Sequence, residues 1–229
     1  MEPADLEKIL GHIFHDQTLL RSALTHRSYL NENPKWEYEH NERLEFLGDA
    51  VLELVITQYL YAQYPDKPEG DLTSLRASLV NANMLGNVGS DLGFNNFVFL
   101  SRGEAKDIGR ARLYILANTF ESLVGALYLD GGYEPARDFI LRVLTPHIAE
   151  ILDKKLYRDA KSLFQEEAQE RVGVTPTYDV VKEWGPDHDK HFVVGAYLKN
   201  ELVAEGEGPS KQDAQQQAAE ASLKAKGWE

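Results

Sequence analysis

Cysteine is absent from this 229-residue chain, which excludes disulfides and thiolate metal sites and is compatible with a reducing compartment. Positive charge is scarce: 24 Lys and Arg stand against 37 Asp and Glu, a net charge of −13. The shortfall is shared, with 14 basic and 23 acidic residues in the first 154 and 10 against 14 in the remainder. By composition alone, neither part has the basic surface that polyanion binding usually displays. Long apolar runs are also missing. The best, around Val51 to Ala62, is broken by Glu53 and Gln58, so no membrane span is expected. The opening Met1-Glu-Pro-Ala-Asp-Leu-Glu lacks the basic-then-apolar order of a secretory signal. A soluble, cytoplasmic protein is the expectation. There is no Gly-rich phosphate cradle, dinucleotide fingerprint or Gly-x-Ser-x-Gly turn, so no nucleotide cofactor is expected.

What is present is an ordinary globular composition, 43% hydrophobic and 27% charged, long enough for one large or two modest domains. Up to about Leu152 the apolar spacing is helical, beginning with Leu6, Ile9, Leu10, Leu19, Leu20 and Leu24. It predicts helices over Arg43 to Tyr64, Asp71 to Gly86 and Leu113 to Asp130, the last stopped by Gly131-Gly132. Pro135 suits the first turn of a further helix running to about Leu152. Beyond that point the pattern changes. An amphipathic helix over Asp159 to Arg171 precedes three strand-like runs, Thr175 to Lys182, Phe192 to Leu198 and Leu202 to Glu207. An Ala- and Gln-rich helix, Lys211 to Ala225, closes the chain. The expected architecture is an all-α domain over 1–153 and a small α+β domain, α-β-β-β-α, over 154–229, with the boundary near Asp153 to Tyr157.

The most informative stretch is Asn41-Glu-Arg-Leu-Glu-Phe-Leu-Gly-Asp-Ala-Val-Leu52. It sets Glu42, Glu45 and Asp49 at i, i+3 and i+7 of one helix. At about 3.6 residues per turn, i+7 returns to within about 20° of i, and i+3 lies about 60° to one side. Like charges so placed destabilise an isolated helix, and a hard divalent cation with its preference for oxygen ligands would offset the repulsion. A solvated acidic stripe is the plain alternative.

This run resembles the signature of the ribonuclease III family, endonucleases that cut double-stranded RNA. A second match lies at Leu116-Ala-Asn-Thr-Phe-Glu-Ser-Leu-Val-Gly-Ala-Leu-Tyr-Leu-Asp130. There Glu121 occupies the position of an essential metal ligand. The resemblance implies an all-α endonuclease domain in which Glu42, Glu45, Asp49 and Glu121 hold Mg²⁺, two ions per site with Mn²⁺ able to substitute, and Asp49 and Glu121 are catalytic. Asn118 stands where the family often carries Asp; its amide oxygen can still ligate a hard cation but brings no charge. Phe46 reads plainly as a core residue, whereas the resemblance makes it a knob entering a socket on a second subunit of a homodimer. His26 and Ser28, in Leu24-Thr-His-Arg-Ser-Tyr29, also match the family and equally suit a helix end. The implied products are 5′-phosphate and 3′-hydroxyl ends with short 3′ overhangs, from precursors of rRNA and other structured RNAs. His12 with His15, and His188 with His191, are spaced like ligands. No Cys or third ligand completes a zinc site near either pair, and both read as structural or surface.

The C-terminal part resembles a double-stranded-RNA-binding domain in three places. Ser162, Gln165 and Glu166 lie on its first helix, where they would meet 2′-hydroxyls of a minor groove. Gly185-Pro-Asp-His-Asp-Lys-His-Phe192 matches the loop between the first two strands, with His188 at the tip. The closing helix opens with Lys211, Gln212 and, one turn on, Gln215, where the family usually places two or three basic residues. Each missing charge removes about one unit from the salt dependence of binding. A catalytically silent RNA-binding scaffold of the same fold is the rival reading; it predicts loss of the acids, and the four acids are present.

Overall fold

The computed structural model describes residues 3–106, 109–153, 160–186 and 190–228. The chain divides into two compact units, Met1–Tyr157 and Arg158–Glu229. The boundary expected near Asp153 to Tyr157 falls mostly on 154–159, outside the described residues.

The first unit holds nine described α-helices: α1 (Pro3–Leu10), α2 (Gln17–Ala23), α3 (Arg27–Glu32), α4 (Glu42–Gln63), α5 (Glu69–Val80), α6 (Ala82–Asp91), α7 (Arg110–Gly131), α8 (Tyr133–Leu144) and α9 (Ile148–Asp153). Helix α7 buries side chains on every side, from Ile115 and Leu116 through Phe120 to Leu127, as a helix at the centre of a core must. Its buried hydroxyls are satisfied locally: Thr119 Oγ1 donates to Ile115 O, and Ser122 Oγ to Ala23 O. Around it pack Leu6 and Leu10 of α1, Leu52, Ile56 and Leu60 of α4, and Phe139 and Ile140 of α8.

Two expected helices are broken. The run over Asp71 to Gly86 is interrupted at Asn81, which has extended φ and ψ of −74° and 157° and caps α6 by accepting from Met84 N at 3.0 Å. Its amide donates back to Ala77 O and Ser78 O, so one short polar side chain ends one helix and starts the next. The run from Pro135 to Leu152 is divided by a 3₁₀ turn, Thr145–His147, that contains Pro146. Proline has no N–H for the α-helical ladder and crowds the preceding turn.

The second unit is α10 (Ala160–Val172), β1 (Thr177–Trp184), β2 (His191–Leu198), β3 (Glu201–Gly208) and α11 (Lys211–Lys226). The sheet is antiparallel in the order β1-β2-β3. Lys199, at φ 57°, turns the β2–β3 hairpin, matching the positive φ that a tight hairpin loop demands. Phe164 and Ala168 of α10 meet Ala196 and Leu198 of β2 and Ala218, Ala219 and Leu223 of α11. A Cβ at Gly206 would lie 2.1 Å from Ala218 N, so α11 rests backbone to backbone on β3. Among the described residues no helix is long and apolar enough to cross a membrane.

Candidate active site and nucleic-acid interface

The acidic face is built by the crossing of α4 and α7. Gly48 and Gly125 are both buried at this crossing. A Cβ at Gly48 would lie 1.7 Å from Glu121 O, and one at Gly125 would lie 2.2 Å from Leu44 O. Only glycine allows the two backbones this approach. The contact brings Glu121 beside the acidic turns of α4, one residue before Asp49 and three after Glu45.

The electrostatics report that proximity. Glu121 is pushed up to about 7, first by burial and then by the charges of Asp49 and Glu45. Glu45 is also raised, by burial first and then by Glu42 and Asp49. All four carboxylates are thereby linked, with Glu42 at the outer end. Arg27 Nη1 lies 3.2 Å from Glu42 Oε1, and His40 Nδ1 lies 3.8 Å from Oε2. Asn118 is half-buried one turn before Glu121 on α7.

The start of α4 is held from behind. Asn41 N donates to Thr25 O at 2.9 Å, and residues 24–26 pair with Phe99 through His26 N to Phe99 O and Phe99 N to Leu24 O. His26 caps α3, its Nδ1 2.8 Å from Ser28 Oγ, and Ser28 Oγ accepts from Ser101 N. Burial holds the His26 pKa below its ordinary value, with Arg27 and His40 adding to the shift and the Glu104 and Glu42 charges opposing it.

Four carboxylates and an amide oxygen are an all-oxygen donor set, which suits a hard divalent cation. Among the described residues, however, the place where three ligand atoms converge within 4.8 Å is His12, His15 and Asp130. No three of the four acids bring ligand atoms within that distance of one another, so a shared ion would require their side chains to rotate inward. Asp130, more than a hundred residues from His12 and His15 in the chain, thus stands beside both rings.

Phe46 is 82% exposed, which overturns its reading as a core residue. It lines a groove of about 670 Å³ that is leucine-rich on one side (Leu19, Leu44, Leu47, Leu129) and polar on the other (Glu39, His40, Glu42, Arg43). A second hollow, of about 440 Å³, lies between α4 and α5 around Tyr61, Lys67 and Arg76, clear of the acids.

In the second unit Ser162, Gln165 and Glu166 are exposed on α10, at the i, i+3 and i+4 spacing of one helix face. Lys211 and Gln212 are exposed at the start of α11, whereas Gln215 is half-buried and accepts from Lys161 Nζ at 2.6 Å. Lys161, which the sequence did not single out, therefore supplies positive charge at the place where α11 lacks it. His188 lies outside the described residues.

A helical unit with an acidic inter-helix face, followed by an α-β-β-β-α unit with a polar helical edge, defines the class of a nuclease joined to a nucleic-acid-binding module. The comparisons make this specific. Residues 16–148 match the "Ribonuclease-III-like" family model and residues 160–226 the "Double-stranded RNA binding motif". Ribonuclease 3 of Pelotomaculum thermopropionicum is 45% identical over 218 residues, covering 95% of this chain and 90% of its own. Ribonuclease 3 of Enterococcus faecalis is 42% identical over 221 residues, covering 96% and 95%. A crystal structure of the ribonuclease III nuclease domain from Campylobacter jejuni is 37% identical, with a TM-score of 0.57, over 64% of this chain and 95% of that one. Another structure of the same domain is described as showing flexibility in a region involved in dimer formation. The chain belongs to the ribonuclease III family, whose members are metal-dependent nucleases.

Proposed function

We propose that this chain is an endoribonuclease that cuts double-stranded RNA by Mg²⁺-dependent phosphodiester hydrolysis, with Glu42, Glu45, Asp49 and Glu121 holding the ions and Asn118 contributing a neutral oxygen. The observation that supports the reading is the approach of α4 to α7 at Gly48, where a Cβ would lie 1.7 Å from Glu121 O, so that Glu121 shares the face of Glu45 and Asp49 and is pushed up, first by burial and then by their charges. Burial and the neighbouring carboxylates both disfavour the ionised form there, and a bound cation would favour it. When bound, two divalent ions supply a water of lowered pKa and stabilise charge on the departing oxygen, and Mn²⁺ would substitute. The chain's own part is to hold and orient. Asp49 and Glu121, whose charges interact across the two helices, would fix the reacting centre, with Glu45 one turn back on α4. Glu42 is steered from outside by Arg27 and His40.

The second unit delivers the duplex, reading its shape through Ser162, Gln165, Glu166, His188 and the Lys211, Gln212 and Gln215 turn. A symmetric pair of chains, each Phe46 ring entering its partner's groove, would offer two acidic centres to the two strands. Cleavage would leave 5′-phosphate and 3′-hydroxyl ends with short 3′ overhangs on rRNA precursors and other structured RNAs, with the cytoplasm as the place of work. The silent-scaffold reading is disfavoured by the four retained acids and by relatives named ribonuclease 3.

The deciding experiment is Glu121→Gln assayed on a long RNA duplex. The variant keeps duplex retention in a gel and loses Mg²⁺-dependent cutting. Cutting at the wild-type rate would remove Glu121 from the centre, and retention without cutting by the wild type in Mg²⁺ would revive the scaffold.

A further inference from the structure

We propose that His12, His15 and Asp130 form a second cation site, chemically distinct from the carboxylate centre, that takes a borderline transition ion such as Zn²⁺. Asp130 Oδ2 lies 2.7 Å from His12 Nε2 and 3.2 Å from His15 Nδ1, and ligand atoms of the three residues all fall within 4.8 Å of one another. Tetrahedral Zn²⁺ with bonds of about 2.0 Å spaces its ligand atoms by about 3.3 Å, so the 2.7 Å and 3.2 Å Asp130–imidazole contacts would lengthen by about 0.6 Å and 0.1 Å while the two imidazoles, already within 4.8 Å, settle to the same spacing. Two imidazole nitrogens and one carboxylate oxygen suit Zn²⁺, whereas Mg²⁺ demands oxygen. Zn²⁺ also binds carboxylates, so excess Mg²⁺ is needed to hold the acidic centre while the imidazole site is probed.

The surroundings are built as a ligand's supporting shell. The Asp130 side chain is 2% exposed and His12 13%, while His15 at 83% leaves the fourth position open to water. Backbone amides aim the carboxylate: Asp16 N donates to Oδ1 at 2.8 Å and His15 N to Oδ2 at 3.0 Å. Burial alone would raise the Asp130 pKa, but these amides and the two rings outweigh it and hold the group ionised. That negative charge sits in the last turn of α7, where the helix dipole opposes an anion and favours a cation. Gly131 makes room for the imidazole. A Cβ there would stand 2.7 Å from His12 Cε1 and 3.2 Å from Nε2.

Occupancy would clip the α1–α2 loop to the end of α7, the same helix that carries Asn118 and Glu121. Asp130 lies nine positions after Glu121, about 14 Å along the axis. The ion would act as a structural clip and not as a reagent.

The test uses the full chain without an affinity tag, kept in excess Mg²⁺ so that the carboxylate centre is occupied, with Co²⁺ as a visible probe. One equivalent of Co²⁺ should give the absorption of a low-coordinate imidazole site, and Zn²⁺ should bleach it. Free Zn²⁺ at about 100 times its Kd should raise the folded-to-unfolded ratio about 100-fold, read as a higher unfolding midpoint. His15→Ala and His12→Gln should each abolish the Co²⁺ band and the Zn²⁺-induced shift; His15→Ala, at an exposed position, should leave the midpoint in chelator near that of wild type. Equal Co²⁺ uptake by wild type and both variants, or no uptake by wild type, overturns the site.

Discussion

A single methyl group at Gly48 should damage the acidic centre more than any loss of core packing can explain. The new Cβ of Gly48→Ala would stand 1.7 Å from Glu121 O, where ordinary contact begins at 3.4 Å. The helices must then part by roughly the difference, about 1.7 Å, because the obstruction is backbone and no side chain can swing aside. Overpacking typically costs about 1–3 kcal/mol, and a backbone clash belongs at or above the top of that range. For a unit of this size each kcal/mol lowers the midpoint by about 2–4 °C, so a fall of about 6–12 °C is expected. The effect on catalysis should be larger, because a misplacement of about 1 Å at a reacting centre can cost about 100-fold. The assay is duplex cleavage against Mg²⁺ concentration at a temperature where thermal scans show both proteins folded. Gly70→Ala is the control: a Cβ there meets nothing within 4 Å, and replacing a helical glycine gains up to about 1 kcal/mol. If Gly48→Ala melts within about 1 °C of wild type and shows an unchanged Mg²⁺ curve, the backbone crossing does not set the site.

In chelator, Glu121 titrates near 7 in the folded chain against 4.5 in its ordinary state, so the folded form binds more protons across that window and stability falls as pH rises through it. His26, whose pKa burial lowers, pulls the opposite way. The measured quantity is therefore the difference in urea midpoints between wild type and Glu121→Gln from about pH 5 to 8; a difference that does not change with pH would contradict the reading. Asn118→Asp adds a charge beside Glu121 and should lower the Mg²⁺ needed for half-maximal cutting, while an unaltered requirement would place the residue outside the ion's reach. Phe46→Ser removes an 82%-exposed ring and should convert a dimer to monomers in light scattering without lowering the chain's own unfolding midpoint; an undiminished dimer would exclude Phe46 as the contact.

The helical spacing of Glu42, Glu45 and Asp49 was legible in the sequence because 3.6-residue periodicity is a local property. The α-β-β-β-α order was legible for the same reason, from alternating runs separated by Gly and Asn turns. The helix breaks at Asn81 and Pro146 were equally local, yet the surrounding apolar spacing continues through both and conceals them. What could not be read was tertiary pairing. Nothing near His12 announces Asp130, and nothing in α10 announces that Lys161 reaches Gln215 of α11. Gly125 could be suspected of close helix packing, but only the fold shows that it meets Gly48 and so seats one carboxylate-bearing helix on the other. Phe46 marks a further limit, since an aromatic flanked by Leu44 and Leu47 looks internal until the face it occupies is known.

Because α4 and α7 touch through glycines, the scaffold beneath the acids has almost no give. Charge imbalance there cannot be relaxed by sliding the helices apart without losing the core, so it must be met by side-chain rotation, by protonation or by ion uptake. If these acids hold ions as proposed, divalent-ion supply would be a folding variable as well as a catalytic one: in an ion-poor medium activity and durability would fall together, both traced to the same few ångströms of backbone.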